Sequence, residues 1–276
     1  MCYLPFVLLT QVSCPTLVLL MSNSIVASRN GIDHPIWLND LGTLLQQQGE
    51  LDRALALFQQ ALQGFVAAED YVGVGRILNN LALAYGQQGQ LHRMQSLCQS
   101  AAGILEEAGD RSGEAMARHN CGIAAFQLGE FDTARRSIET AIAIRVAIAD
   151  QAGEAASFHV LGKIYKRLEQ PETALCCYFE ARSIWRELGD RSGEVLNLNA
   201  IAALFEQQNL LLSAAHWYQQ ALAVFLELSD NQQQPEFGQC DRFSVGNRLR
   251  RRSIFYRKRR PSSIKPVVRL QSQILG

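Results

Sequence analysis

Five aspartates, Asp70, Asp110, Asp150, Asp190 and Asp230, stand 40 residues apart. Ala61, Ala101, Ala141, Ala181 and Ala221 keep the same interval, as do Gly42, Ala82, Gly122, Gly162 and Ala202. A period of this length, held without insertion, restricts the chain to repeat architectures. Each unit is a supersecondary element that cannot bury its own apolar face, so the units must stack. Leu41, Leu81, Cys121, Leu161 and Ile201 precede the small residue, and Leu45, Tyr85, Ala125, Tyr165 and Phe205 follow it by three. That spacing marks one face of a helix.

Each unit reads as two helices. In the third, Arg118, Cys121, Gly122 and Ala125 mark the first face. Gly129 ends that helix, and Asp132 is expected to cap the next. Ala134, Ile138, Ala141 and Ile142 mark the second face, and Asp150 is placed to cap the following unit. In the fourth unit Pro171 falls at the start of the second helix, where its missing N–H costs nothing. Residues 31–230 are rich in Ala, Leu, Gln and Glu, which are good helix formers. Small residues such as Gly122 and Ala141 let two backbones approach, and Tyr85 and Tyr178 fill the space between successive pairs. The expected fold is all-α: a right-handed α-solenoid of five antiparallel helix pairs over residues 31–230. Its concave groove is lined by the first helix of each pair.

The two ends differ from this array. Residues 1–30 form an apolar arm, uncharged from Tyr3 to Met21. It reads as translated leader ahead of a start at Met21, as a targeting or anchoring segment, or as a disordered or packing arm. Pro5, Pro15 and the lack of a basic n-region count against a signal peptide. Residues 231–276 hold 11 of the 26 Lys and Arg and 2 of the 26 Asp and Glu, a net +9 against −9 for the rest. Within this basic tail, Arg250, Arg251, Arg252, Arg257, Lys258, Arg259 and Arg260 surround Phe255 and Tyr256. Such a pattern holds nucleic acid or an anionic membrane surface. A plain disordered tail and a truncated or out-of-frame end are the competing readings. The repeat pattern stops after Asp230 with no polar capping helix, so self-association through an uncapped fifth pair stays open.

No catalytic constellation emerges. Gly73-Val74-Gly75 lacks the third glycine and the preceding strand of a dinucleotide loop. His119, His159 and Cys121 do not converge into a metal set of three or four ligands. No metal, cofactor or enzymatic activity is therefore expected. The seven cysteines are odd in number and include no C-x-x-C. Cys98, Cys121 and Cys177 fall at core positions and read as reduced thiols, consistent with the cytoplasm. The apolar arm leaves an anchored or exported form open.

Leu161-Gly162-x-x-Tyr165, followed by Ala174, Tyr178 and Ala181, resembles the tetratricopeptide repeat, lengthened from about 34 residues to 40. The turn Gly109-Asp110-Arg111-Ser112-Gly113-Glu114 returns as Gly189-Asp190-Arg191-Ser192-Gly193-Glu194. It resembles the long-repeat branch that includes kinesin light chains, Pins-type spindle adaptors and many bacterial arrays. The resemblance implies a non-catalytic adaptor that binds a protein or peptide in its groove. It also allows a regulatory module cut from a larger signalling or effector protein. Carried over, the groove positions include Asn39, Arg76, Asn79, His119, His159, Lys163, Arg167 and Asn199. Asn39, Asn79, His119, His159 and Asn199 share one position in the unit, a ladder able to donate and accept hydrogen bonds along an extended peptide. Lys163, Lys166 and Arg167 favour an acidic partner. The family's carboxylate clamp is not matched, since it needs Lys then Asn four residues apart where this chain has Asn39 with Thr43 and Asn79 with Leu83.

Overall fold

The computed structural model describes residues 34–233, which contain ten α-helices and no strand. In chain order they are α1 (Pro35–Gln47), α2 (Leu51–Ala67), α3 (Tyr71–Gln87), α4 (Leu91–Ala108) and α5 (Arg111–Gln127). There follow α6 (Phe131–Ala147), α7 (Gln151–Arg167), α8 (Pro171–Glu187), α9 (Arg191–Gln207) and α10 (Leu211–Gln233). Links of two or three residues force antiparallel neighbours. The described residues form two compact units, 34–101 and 102–233, divided within α4. In the first, α1 pairs with α2 and α3 packs on α2. In the second, α5–α6, α7–α8 and α9–α10 are hairpins, with α7 stacked on α6 and α9 on α8. The fold is an all-α solenoid.

The periodic residues make the helix ends. Asp70, Asp110, Asp150 and Asp190 each accept a hydrogen bond from the backbone N–H of Gly73, Gly113, Gly153 and Gly193, at 3.0, 3.1, 3.0 and 2.9 Å. The 40-residue aspartate is thus the N-cap of every first helix from α3 to α9. At the other end, Gly129 N–H bonds to the Phe126 carbonyl and Glu130 N–H to the Ala125 carbonyl, with Gly129 at φ 82°. This Schellman closure satisfies carbonyls that the helix leaves open. Ala149 and Glu169 occupy the same left-handed place, at φ 57° and 58°. Asp132 does not cap α6. The link is so short that Phe131 is already helical and Glu130 is the N-cap, without a side-chain bond. Asp132 lies inside the first turn, where its charge favours the helix dipole. Pro171 opens α8 as expected.

Packing depends on absent side chains at chosen points. A Cβ on Gly162 would lie 2.5 Å from Tyr178 Cε1, inside the α7–α8 hairpin. A Cβ on Gly193 would lie 2.6 Å from Trp185 Cδ2, at the joint where α9 meets α8. Ala125, Ala134, Ile138, Leu161, Ile164 and Cys177 form one buried cluster, and Ala174, Tyr178, Ile201 and Leu204 another. Gly193→Ala is expected to lose about 1–3 kcal/mol by overpacking, although alanine is the better helix former by about 1 kcal/mol. Gly103 has nothing within 4 Å of its Cβ position. Gly103→Ala is therefore expected to gain about 0.5–1 kcal/mol. Urea unfolding of the two variants should show opposite signs; a gain in both would mean that the α8–α9 joint is not close-packed.

Candidate functional site

In the second unit the first helices α5, α7 and α9 lie side by side, joined by polar bonds between buried or half-buried side chains. His119 Nδ1 of α5 is 3.0 Å from Ser157 Oγ of α7. His159 Nδ1 of α7 is 2.8 Å from Asn197 Oδ1 of α9. The Asn197 amide nitrogen donates to the Tyr178 carbonyl, which turns its oxygen toward His159. His159 therefore carries its proton on Nδ1 and keeps Nε2 as an acceptor. Its ring lies 5.6 Å from that of Tyr178 and 5.9 Å from that of Trp185. Ser157 is fully buried and accepts from Arg145 Nη1 at 2.7 Å. Its own hydrogen then goes to His119 Nδ1. Burial first, and Arg145 second, hold the His119 pKa down to about 4. Burial also holds His159 below the usual histidine range, against the opposing bond to Asn197. Both rings are neutral at pH 7. In the first unit Asn80 Nδ2 donates to Asn39 Oδ1 at 2.7 Å.

The expected ladder is therefore not a uniform outward row. Asn79 and His159 are buried, Asn39 and His119 half-buried, and Asn199 exposed. For His119 and His159 the cause is a residue 38 positions further on: Ser157 and Asn197 reach back from the next first helix and occupy them. These side chains stitch one first helix to the next. Arg76, Lys163 and Arg167 face solvent. The Arg167 guanidinium lies 5.2 Å from the centre of the Phe131 ring, a cation–π contact. Among the described residues, no carboxylate pairs with Lys163, Lys166 or Arg167. Met116 of α5 and Leu196 of α9 are 49% and 52% exposed. They sit at equivalent places in their units, on helices flanking α7. The second unit thus presents cations in the C-terminal half of α7 and apolar side chains near the N-terminal ends of both neighbours. Such a face suits a segment carrying carboxylates and apolar groups.

Other features had no role assigned from sequence. Glu114 and Glu194 are buried carboxylates. Glu114 is held between Arg111 at 2.7 Å and Arg118 at 2.9 Å, so Arg118 is an ion-pair residue rather than part of the apolar face. Glu194 pairs with Arg191 at 2.8 Å and lies 3.8 Å from Arg182. The signal was the repeated Arg-Ser-Gly-Glu, whose arginine neutralises the glutamate one turn on. Cys98, Cys121 and Cys177 are buried free thiols, and Cys176 is an exposed one. Burial pushes the Cys177 thiol up to about 11, which makes it a poor nucleophile. Among the described residues, no three His, Cys, Asp or Glu side chains are grouped to hold a metal ion. Among the same residues, no helix is long and apolar enough to cross a membrane. The apolar arm, and Arg250, Arg251, Arg252, Arg257, Lys258, Arg259 and Arg260 of the basic tail, lie outside the described residues.

The tetratricopeptide repeat model matches residues 33–93, 73–147 and 114–187, more than half of the chain. None of the curated proteins matches by sequence. Among solved structures, BtubC (BKLC) from P. vanneervenii is similar at a TM-score of 0.67 and 19% identity, covering 86% of this chain and 100% of that one. A Rap protein complexed with Competence and Sporulation Factor gives 0.64 at 15% identity, over 76% of this chain and 59% of that one. The Rap conjugation gene regulator of the plasmid pLS20, in complex with the Phr* peptide, gives 0.57 at 16%, over 71% and 54%. At these identities the likeness is one of fold.

Proposed function

The chain belongs to the tetratricopeptide repeat family, and from that premise we propose that it is a non-catalytic adaptor holding an extended acidic segment of a partner protein. The segment lies across the first helices of the second unit. Lys163 and Arg167 meet its carboxylates, and Met116 and Leu196 meet its apolar side chains. The observation that carries this reading is the pair of exposed cations on α7 with no carboxylate partner among the described residues. An exposed cation gains most from a ligand when no internal acid already neutralises it. Two of the similar folds are solved with a peptide or factor bound, which supports a peptide ligand for this scaffold. His119 and His159, neutral and tied to neighbouring helices, hold α5, α7 and α9 in register and contribute little charge. Buried free thiols suit a reducing compartment.

The double variant Lys163→Glu/Arg167→Glu is expected to weaken binding of a labelled pool of extended acidic peptides at least tenfold, about 1.4 kcal/mol. Fluorescence anisotropy on the full chain measures it, and binding should fall as salt rises. Equal affinity for acidic and basic pools would remove α7 as the site.

A further inference from the structure

The last helix carries a second surface, of different chemistry. Leu211, Ala215, Tyr218, Leu222 and Phe225 of α10 follow one another at spacings of four, three, four and three. That is the seam of a helix meant to lie along another helix. Leu211, Tyr218, Leu222 and Phe225 are 61%, 39%, 56% and 55% exposed, and the flanking Leu212 is 90% exposed. Forty residues earlier, the same positions of α8 hold Pro171, Leu175, Tyr178, Arg182 and Trp185. There α9 covers the seam, leaving Tyr178 and Trp185 at 1% and 6%.

The charges separate two possible occupants. In α8 the seam and its flanks carry Glu172, Glu180, Arg182 and Arg186. In α10 the corresponding residues are Leu212, Gln220, Leu222 and Leu226. From Leu211 to Leu226 there is no Asp, Glu, Lys or Arg. Three of the four charged positions have become leucine, including flanks that stay in solvent on α8 even beneath α9. The apolar strip is therefore wider than another first helix of this array needs. It also lacks the cation that Arg182 offers to the buried Glu194. A covering helix with a charge in the seam would leave it buried and unpaired, which disfavours such a partner. A second α10 brings the same wide apolar strip and no charge of its own, and the Glu206 carboxylate that borders the strip is already bonded by the Tyr218 hydroxyl at 2.9 Å. With side chains of about 150–250 Å² for the aromatic residues and somewhat less for leucine, the exposed fractions amount to roughly 500 Å² per copy. A pair would bury about 1,000 Å², the size at which specific interfaces begin.

We propose that the seam of α10 pairs two copies of this chain, antiparallel about a two-fold axis near Tyr218. The peptide face on α5, α7 and α9 belongs to other helices, so each copy would bring one such face to the dimer. Sedimentation velocity of the full chain over about 1–100 μM, a range in which a small interface associates, is expected to show a monomer–dimer equilibrium. Leu222→Glu should weaken it at least tenfold, with helicity by circular dichroism unchanged. Leu212→Glu, at a side chain almost wholly in solvent, should weaken it likewise and covers the case in which the first variant fails to fold. A monomer throughout the range would overturn the proposal in favour of residues 234–276, or another partner, on the seam. Species growing beyond the dimer would overturn it in favour of head-to-tail assembly. A dimer indifferent to both substitutions would place the contact elsewhere.

Discussion

Tyr178→Ala is expected to lower the unfolding free energy by about 3–5 kcal/mol, the range for removing a buried aromatic ring. Tyr178 is 1% exposed and serves two contacts at once. Its ring fills the space over Gly162 inside the fourth hairpin, and it belongs to the cluster with Ile201 and Leu204 of α9. Its carbonyl receives the Asn197 amide, which in turn fixes His159. Glycine has no side chain with which to refill the void, so relaxation recovers little. Tyr178→Phe keeps the ring and should stay within about 1 kcal/mol of the native protein, the scale of one hydrogen bond. In a solenoid each hairpin is stabilised by its neighbours alone. The loss should therefore be local: hydrogen exchange should accelerate in α9 and α10 and change little in α5 and α6. Equal acceleration in all four helices would show that the second unit behaves as one cooperative block.

Acid should act through His119. Its pKa is about 4 in the folded chain against 6.5 unperturbed, because burial and then Arg145 disfavour the imidazolium. The unfolded chain takes up its proton first as the pH falls. The stability contributed by the neutral ring is thus fully present above about pH 6.5 and is lost progressively down to about pH 4. The difference of about 2.5 pKa units corresponds to about 3 kcal/mol. The structural reason is specific. A proton on Nδ1 removes the acceptor for the Ser157 hydroxyl and places a second cation near Arg145. His119→Gln should flatten the pH dependence of unfolding between 6.5 and 4 relative to the native chain. A histidine C–H resonance assigned to His119 should titrate near pH 4. A midpoint near 6.5 would mean that the α5–α7 joint is open to water.

The array could be read from sequence because its signals are local. An aspartate that caps a helix and a glycine under a bulky neighbour obey rules of a few residues, so Asp110 with Gly113 and Asp190 with Gly193 repeat visibly. Pro171 is readable for the same reason. The direction of the ladder was not readable. Face periodicity assigns His159 to a side of α7, but its burial depends on Asn197 in the next unit, 38 residues away and out of step with the 40-residue period. Glu114 and Glu194 were hidden because a charged side chain reads as solvated until its arginines are placed around it. The left-handed Ala149 and Glu169 carry no sequence mark, since at both links the packing of the flanking helices imposes a conformation that glycine adopts elsewhere. Asp132 misled because the cap position moves by two residues when the link is only three long.

The most direct measurement is selection of a random peptide display library on the full chain, run in parallel on native protein and on Lys163→Glu/Arg167→Glu. A peptide adaptor should enrich extended sequences that combine Asp or Glu with apolar residues, and the charge-reversed protein should fail to retain them. Sequences without acidic bias, or acidic sequences retained equally by both proteins, would contradict the assignment of the peptide to the α7 face.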